Sequence, residues 1–331
     1  MKISVLGAGG WGTTLAILLH YNGHNVTLWE FHKNYSKELT KKRVNRQFLP
    51  GISIPKEIVI TNDISESVDK KNLVVLAVPS QFLRSVVNKI NFQDIKNAIL
   101  VSVSKGIEKR SLLTMSQMLQ DVHPSFAKEQ MGVLSGPSHA EEVSKKIPTA
   151  VVAASSNLET SKSIQVAFMT AYFRVYSSLD IVGVELGGAF KNVIAIGAGI
   201  VDGVKFGDNT KAAIMTRGIA EISRLGDAMG AQPDTFAGLS GMGDLIVTCM
   251  SRHSRNRYVG EQVGSGKKLK EVLKSMKMIA EGVETSRSVT QLSKKHNVET
   301  PIADEVYKIL FEDKDPVKAT TDLMTRDMKK E

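Results

Sequence analysis

Two hydrophobic rhythms divide this chain of 331 residues. Up to about residue 180, short apolar runs bounded by glycine, proline or charge alternate with segments whose apolar residues recur every three or four positions. The run Lys2–Leu6 reads as a buried strand and Asn25–Trp29 as a second, with further candidates at 58–61, 73–78, 98–104, 132–135, 150–154 and 173–176. Helical spacing lies between several of them, at 13–21, 81–89 and 112–120. Strand and helix in alternation predict a parallel sheet covered on both faces. Beyond residue 180 strand candidates nearly vanish, and helical patterns take over at 182–203, 211–229, 258–263, 269–275, 284–296, 302–311 and 316–328. The expected architecture is an α/β domain with a mostly parallel sheet over residues 1–181, then an all-α domain over 182–331.

The stretch 182–203, VGVELGGAFKNVIAIGAGIVDG, opens the second domain and carries one cation, Lys191, near its middle. Burying an unpaired charge is costly, so this lysine either reaches out to water or is placed for chemistry. No run reaches the roughly 20 apolar residues needed to cross a bilayer, and the N-terminus shows no signal-peptide pattern. The single cysteine, Cys249, excludes an intrachain disulfide and a multi-cysteine metal site, and it fits a reducing cytoplasm. The net charge of +9 is scattered apart from a short tract at Arg252, Arg255 and Arg257. That distribution suits a small phosphorylated metabolite better than nucleic acid, whose footprint is clustered. Nothing suggests a metal.

Gly7, Gly9 and Gly12 form G-x-G-x-x-G between the first strand and the first helix, with Gly10 and Trp11 inside the loop. The first glycine permits the tight turn, the second lets a pyrophosphate approach the backbone, and the third lets helix pack on strand. The helix then offers free N–H groups to a diphosphate. Glu30 ends the second strand about 20 residues on, where a ribose-reading carboxylate belongs. A carboxylate there favours a free 2′-hydroxyl, hence NAD over NADP. Phe31 offers a face to adenine, while His32 and Lys33 are able to neutralise a 2′-phosphate.

Other tracts carry candidate chemistry. Ser104-Lys105-Gly106 follows a strand at the carboxyl edge of the sheet, where open α/β folds bind ligands. In Ser135-Gly136-Pro137-Ser138-His139-Ala140-Glu141, the spacing of Ser138 and Glu141 predicts a capping box, and the same helix start is able to hold substrate. Gly238-Leu239-Ser240-Gly241-Met242-Gly243-Asp244 reads as a glycine-rich turn delivering one carboxylate. Ser254-Arg255-Asn256-Arg257 gathers a hydroxyl, guanidinium groups and an amide, which is phosphate-binding chemistry.

Taken in order, GAGGWGTTLA, SVSKGIE, LSGPSHAEEV, ELGGAFKNVIAIGAGI, GLSGMGDLIVTC, SRHSRNRYVG and IAEGVETS resemble the bacterial NAD(P)-dependent glycerol-3-phosphate dehydrogenases over essentially the whole chain. The resemblance implies a Rossmann-type N-terminal domain, an all-helical C-terminal domain and a homodimer. It implies hydride transfer between NAD(P)H and dihydroxyacetone phosphate, giving sn-glycerol 3-phosphate for glycerophospholipids. It makes Lys191 the proton acceptor and donor, and Lys105 a contact to both substrate and cofactor. Gly136, Ser138, Asp244, Ser254, Arg255 and Asn256 would hold the substrate. Gly10, Trp11, Ala140, Arg255, Ile279 and Glu281 would touch the cofactor. One departure stands out: NADP-using members often carry arginine after the second strand, where this chain has Glu30-Phe31-His32. Two other readings stay open, a related ketopantoate or 6-phosphogluconate dehydrogenase and a dinucleotide sensor without turnover. Lys191 with Asp244 argues against the sensor, which needs neither.

Overall fold

The computed structural model describes residues 1–276 and 278–328, so the last three residues of the expected second domain lie outside it. The chain divides into two compact units, Met1–Glu108 with Leu113–Glu185, and Lys109–Leu112 with Leu186–Glu331.

The first unit is built on an eight-stranded sheet. Its strands are β1 Lys2–Leu6, β2 Asn25–Trp29, β3 Val59–Thr61, β4 Leu73–Leu76, β5 Ile99–Ser102, β6 Met131–Ser135, β7 Thr149–Ala154 and β8 Phe173–Ser178. Their order is β3-β2-β1-β4-β5-β6-β7-β8. All pairs are parallel except β6 with β7, so the expectation of a mostly parallel sheet holds with one reversal. The central strands are largely apolar because both faces are covered, whereas the edge strand β8 alternates buried Phe173 and Val175 with exposed Arg174 and Tyr176. In β4, Leu73 and Val75 enter one core with Ile3, Leu15, Leu28 and Phe173. Val74 and Leu76 point the other way, into a core with Leu83, Met115 and Leu119. The connections run outward in both directions from β1, which places the switch point between β1 and β4, where such sheets bind ligands beyond their strand ends.

The second unit is helical, with no strand among its described residues. Its principal helices are Asp208–Ala228, Asp244–Met250, Arg255–Gly264, Glu281–His296 and Pro301–Phe311, together with most of the long helix Ile181–Gly203. The glycines of that long helix have a packing cause. A Cβ on Gly199 would stand 2.0 Å from the Arg257 carbonyl, and one on Gly260 2.0 Å from the Ile196 carbonyl. Glycine on both sides lets Arg255–Gly264 lie backbone to backbone against the long helix. One expectation needs correcting. By length and composition Ile181–Gly203 is apolar enough to cross a membrane, although 89% of its most apolar window is buried inside the protein, as in a core helix.

Candidate active site

The glycine loop behaves as its spacing predicts. Gly7 has φ +111°, and a Cβ there would stand 2.8 Å from the Ala77 carbonyl. A Cβ on Gly12 would fall 1.9 Å from the Gly7 carbonyl, so only glycine lets the helix Gly10–Tyr21 start this close to β1. Gly9, the N-cap of that helix, is the reverse case: its Cβ would meet nothing within 4 Å. That bare backbone, beside the uncapped N–H groups of Gly10, Trp11 and Gly12, is the cradle a diphosphate needs. Trp11 is half-buried against Phe173, with ring centroids 6.4 Å apart. Glu30 is buried, and its Oε1 accepts from the His32 N–H at 2.9 Å. Burial pushes its carboxyl pKa upward, opposed by the hydrogen bonds from His32 and from Ala8 in the glycine loop. Phe31 is exposed, edge-on to His32, with the Lys89 ammonium 4.7 Å above its ring.

Lys105 lies in the loop after β5 and donates to the Gly136 carbonyl at 2.8 Å and, at 3.4 Å, to Ser138 Oγ. That loop is held by neighbours on the β4 side. Ser104 donates to the Val78 carbonyl, Gln81 to that of Ile107 at 2.8 Å, and Arg84 grips Glu108 with two bonds of 2.8 Å. The capping box expected at Ser138 is absent. The short helix Ala140–Val143 has His139 as N-cap with no side-chain cap bond, and Ser138 Oγ instead donates to the Gly136 carbonyl at 2.9 Å. Ser138 is thus drawn toward Lys105. The capping box that does form is Thr114 with Gln117. Buried Glu185 adds to the same helix start, accepting from Ser116 N at 2.8 Å and Ser116 Oγ at 2.6 Å.

In the second unit Lys191 is 6% exposed and does not reach water. Its ammonium donates to Asp244 Oδ1 at 2.7 Å and to Thr248 Oγ1 at 2.7 Å. Asp244, 1% exposed, does not sit on a turn. The glycine tract winds as a π-helical turn, Leu239–Gly243, running straight into the helix Asp244–Met250. The cause is contact, since a Cβ on Gly241 would lie 2.2 Å from the Phe236 carbonyl. On that helix Asp244 and Thr248 are one turn apart and share a face, so both reach Lys191. The Thr248 hydroxyl in turn donates a hydrogen bond to the Asp244 carbonyl at 2.6 Å, which leaves its lone pairs toward the lysine.

Ser254 caps the helix Arg255–Gly264, accepting from the Arg257 N–H at 3.2 Å. Arg255 follows it and is exposed. Arg257 is drawn aside, with Nε 2.6 Å from Asp202 Oδ2. Asn256 spends most of its amide inside the protein: Nδ2 donates to Asn192 Oδ1 at 2.8 Å, and Oδ1 accepts from the Gly282 N–H at 2.9 Å. That bond anchors the start of Glu281–His296, where Glu281 is the first residue; Ile279, just before, is exposed. Cys249 is buried and its thiol pushed up to about 12 by desolvation, consistent with a packed side chain.

A family model described as the NAD-dependent glycerol-3-phosphate dehydrogenase N-terminus matches residues 2–161, and the corresponding C-terminus model matches residues 180–321. A protein of Chlorobium phaeobacteroides (strain BS1) named glycerol-3-phosphate dehydrogenase, NAD(P)+, is 52% identical over 331 residues, covering 100% of this chain and 99% of its own. The chain belongs to this family. A second glycerol-3-phosphate dehydrogenase, from Fusobacterium nucleatum, is 50% identical over 100% of this chain and 98% of its own. Among solved structures, a glycerol-3-phosphate dehydrogenase from Coxiella burnetii superposes with a TM-score of 0.90 at 35% identity, covering 98% of this chain and 99% of that one. Set within the glycerol-3-phosphate dehydrogenase family, the partners of expected site residues that sequence reasoning did not assign are Thr248, beside Lys191, and Asn192, beside Asn256. Helical spacing of four between Asp244 and Thr248 was the available signal, hidden by reading a turn there.

Proposed function

We propose that this chain catalyses reversible hydride transfer between NAD(P)H and dihydroxyacetone phosphate, giving sn-glycerol 3-phosphate. The full-length match to relatives named for this activity carries the reading, and the site geometry supports the residue roles proposed within it. The glycine loop fits a dinucleotide, with bare backbone at Gly9 and a helix start close behind it. When bound, the nicotinamide supplies the hydride. The chain supplies position, charge and a proton.

In the direction of reduction, Lys191 gives a proton to the oxygen that becomes an alkoxide at C2; in oxidation it takes that proton back. The carboxylate at 2.7 Å holds the ammonium, the form that donates, in place. Asp244 and Thr248 also fix the direction of the lysine. Ser254 and Arg255, at the start of a ten-residue helix, provide a capped N-terminus and an exposed guanidinium for the substrate phosphate. Asn256 contributes to that grip with its remaining N–H, and Lys105 with Gly136 and Ser138 forms a further polar contact. Arg255, Ala140, Ile279 and Glu281 are assigned to the cofactor on the family resemblance. Glu30, a buried acid without a neighbouring arginine in sequence, supports NAD over NADP. The reading carries with it a homodimer working in the cytoplasm and feeding glycerophospholipid synthesis.

The test is loss of reduced-nicotinamide absorbance when dihydroxyacetone phosphate is added with NADH or NADPH. Turnover that Lys191→Ala removes by orders of magnitude, while NADH still binds, supports the proposal. No turnover with either cofactor, or full turnover in the variant, overturns the activity or the role of Lys191 respectively.

A further inference from the structure

Asn45 stands outside every motif considered so far, in the turn that follows the helix Lys33–Lys42. It is completely buried, and an amide buried in this way has four hydrogen-bonding capacities to satisfy. All four are used. Nδ2 donates to the Ala8 carbonyl at 2.8 Å and to Thr13 Oγ1 at 2.8 Å. Oδ1 accepts from the Tyr35 hydroxyl at 2.6 Å and from the Phe48 N–H at 3.0 Å. The amide cannot be turned over, because the Phe48 N–H only donates and the Ala8 carbonyl only accepts. Oxygen must therefore face the turn and nitrogen must face the glycine loop.

Ala8 lies between Gly7 and Gly9, and no peptide bond among the described residues is cis. In a trans peptide the carbonyl and the following N–H point in opposite directions. A bond that fixes the Ala8 carbonyl inward therefore turns the Gly9 N–H away from the interior. Thr13 reinforces the arrangement, its hydroxyl donating to the same carbonyl at 3.4 Å. On the acceptor side, Tyr35 belongs to the helix that follows Glu30, Phe31 and His32. One buried side chain thus ties the loop that would bind diphosphate to the segment that would read ribose.

We infer that Asn45 is a positioning residue for the dinucleotide, holding the Ala8–Gly9 peptide in the orientation that presents its N–H to the diphosphate. The inference rests on the cofactor reading of the glycine loop given above. A loop without this bond has to be ordered by the ligand at the moment of binding, which lowers affinity without touching the chemical step.

The experiment compares wild type, Asn45→Ala and Tyr35→Phe in NADH binding by fluorescence titration, steady-state kinetics and melting temperature. Asn45→Ala is expected to raise both Kd and KM for NADH by about tenfold or more, the scale set by losing buried hydrogen bonds. Its kcat at saturating NADH and its KM for dihydroxyacetone phosphate stay within about twofold, a split that a general loss of structure does not produce. Tyr35→Phe removes one acceptor-side bond and raises Kd by a smaller factor, about threefold. An unchanged Kd in folded Asn45→Ala overturns the inference, as does an unchanged Kd in Tyr35→Phe where Asn45→Ala does not fold. Wild-type protein that binds neither NADH nor NADPH overturns the cofactor reading and the inference together.

Discussion

Replacing Asp244 by leucine tests the buried pair at the heart of the second unit. Lys191 and Asp244 are 6% and 1% exposed, with 2.7 Å between Nζ and Oδ1. At an effective dielectric constant near 20 their attraction at this separation is about 6 kcal/mol before desolvation, and stranding one partner of such a pair costs about 3–5 kcal/mol. Thr248 Oγ1 remains as a partner for the orphaned ammonium, so the expected loss lies at the lower end, about 3 kcal/mol. Equilibrium urea unfolding measures it. The double variant Lys191→Met/Asp244→Leu removes both charges at once and should return to within about 1 kcal/mol of wild type, because apolar replacement of a buried pair is often neutral or better. Both variants should be catalytically dead, which separates the pair's role in stability from its role in turnover. The reasoning is refuted if Asp244→Leu costs less than about 1 kcal/mol, or if the double variant is no more stable than the single one.

Three further predictions follow from the geometry. Gly9→Ala meets no protein atom within 4 Å, so its melting temperature should match wild type while its Kd for NADH rises about tenfold or more; Gly12→Ala, with its Cβ 1.9 Å from the Gly7 carbonyl, should instead lose about 1–3 kcal/mol of stability. Glu221 is buried, accepts from the Ile302 and Ala303 N–H groups at 2.7 and 3.2 Å, and has its carboxyl raised by desolvation from 4.5 to about 7. The folded state therefore holds this proton more tightly than the unfolded chain, so its contribution is fully present below about pH 4.5 and is lost as pH rises to about 7. Urea unfolding at a series of pH values should show that decline, up to about 3 kcal/mol, in wild type and not in Glu221→Gln. Glu30→Gln removes the charge that would repel a 2′-phosphate, and the ratio of kcat/KM for NADH over NADPH should fall about fivefold or more; an unchanged ratio removes Glu30 from cofactor choice.

What was legible in the sequence was what is local in the chain. The roles of Gly7, Gly9 and Gly12 follow from spacing because the loop they serve is six residues long, and their would-be Cβ contacts separate turn, approach and packing as expected. The central strands were visible because both faces of the sheet are covered there, which makes runs such as Leu73–Leu76 continuously apolar, and the edge strand Phe173–Ser178 was visible by its alternation. The reversal at β6 and β7 was not visible, since a parallel and an antiparallel neighbour leave the same apolar run. Local patterns also misled. Ser138 and Glu141 have capping-box spacing, yet Ser138 turns to the Gly136 carbonyl and Lys105. The tract ending in Asp244 has turn composition, yet Gly241 is there for close contact with Phe236 and the tract is helical.

Pairings across long separations lay furthest from view. Lys191 was singled out by the cost of burying a charge, but its partners stand 53 and 57 positions away, and only the fold brings them to it. Asn45 carries no sequence signal at all, because nothing in its neighbours announces the Ala8 carbonyl 37 positions earlier.

The most direct measurement of the central claim follows the hydride itself. Enzyme is incubated with dihydroxyacetone phosphate and nicotinamide cofactor deuterated on both positions of C4, and the product is analysed by mass spectrometry and NMR. The account predicts sn-glycerol 3-phosphate carrying one deuterium, bonded to C2. A product without deuterium at C2, or oxidation of the cofactor with no glycerol 3-phosphate formed, would contradict it.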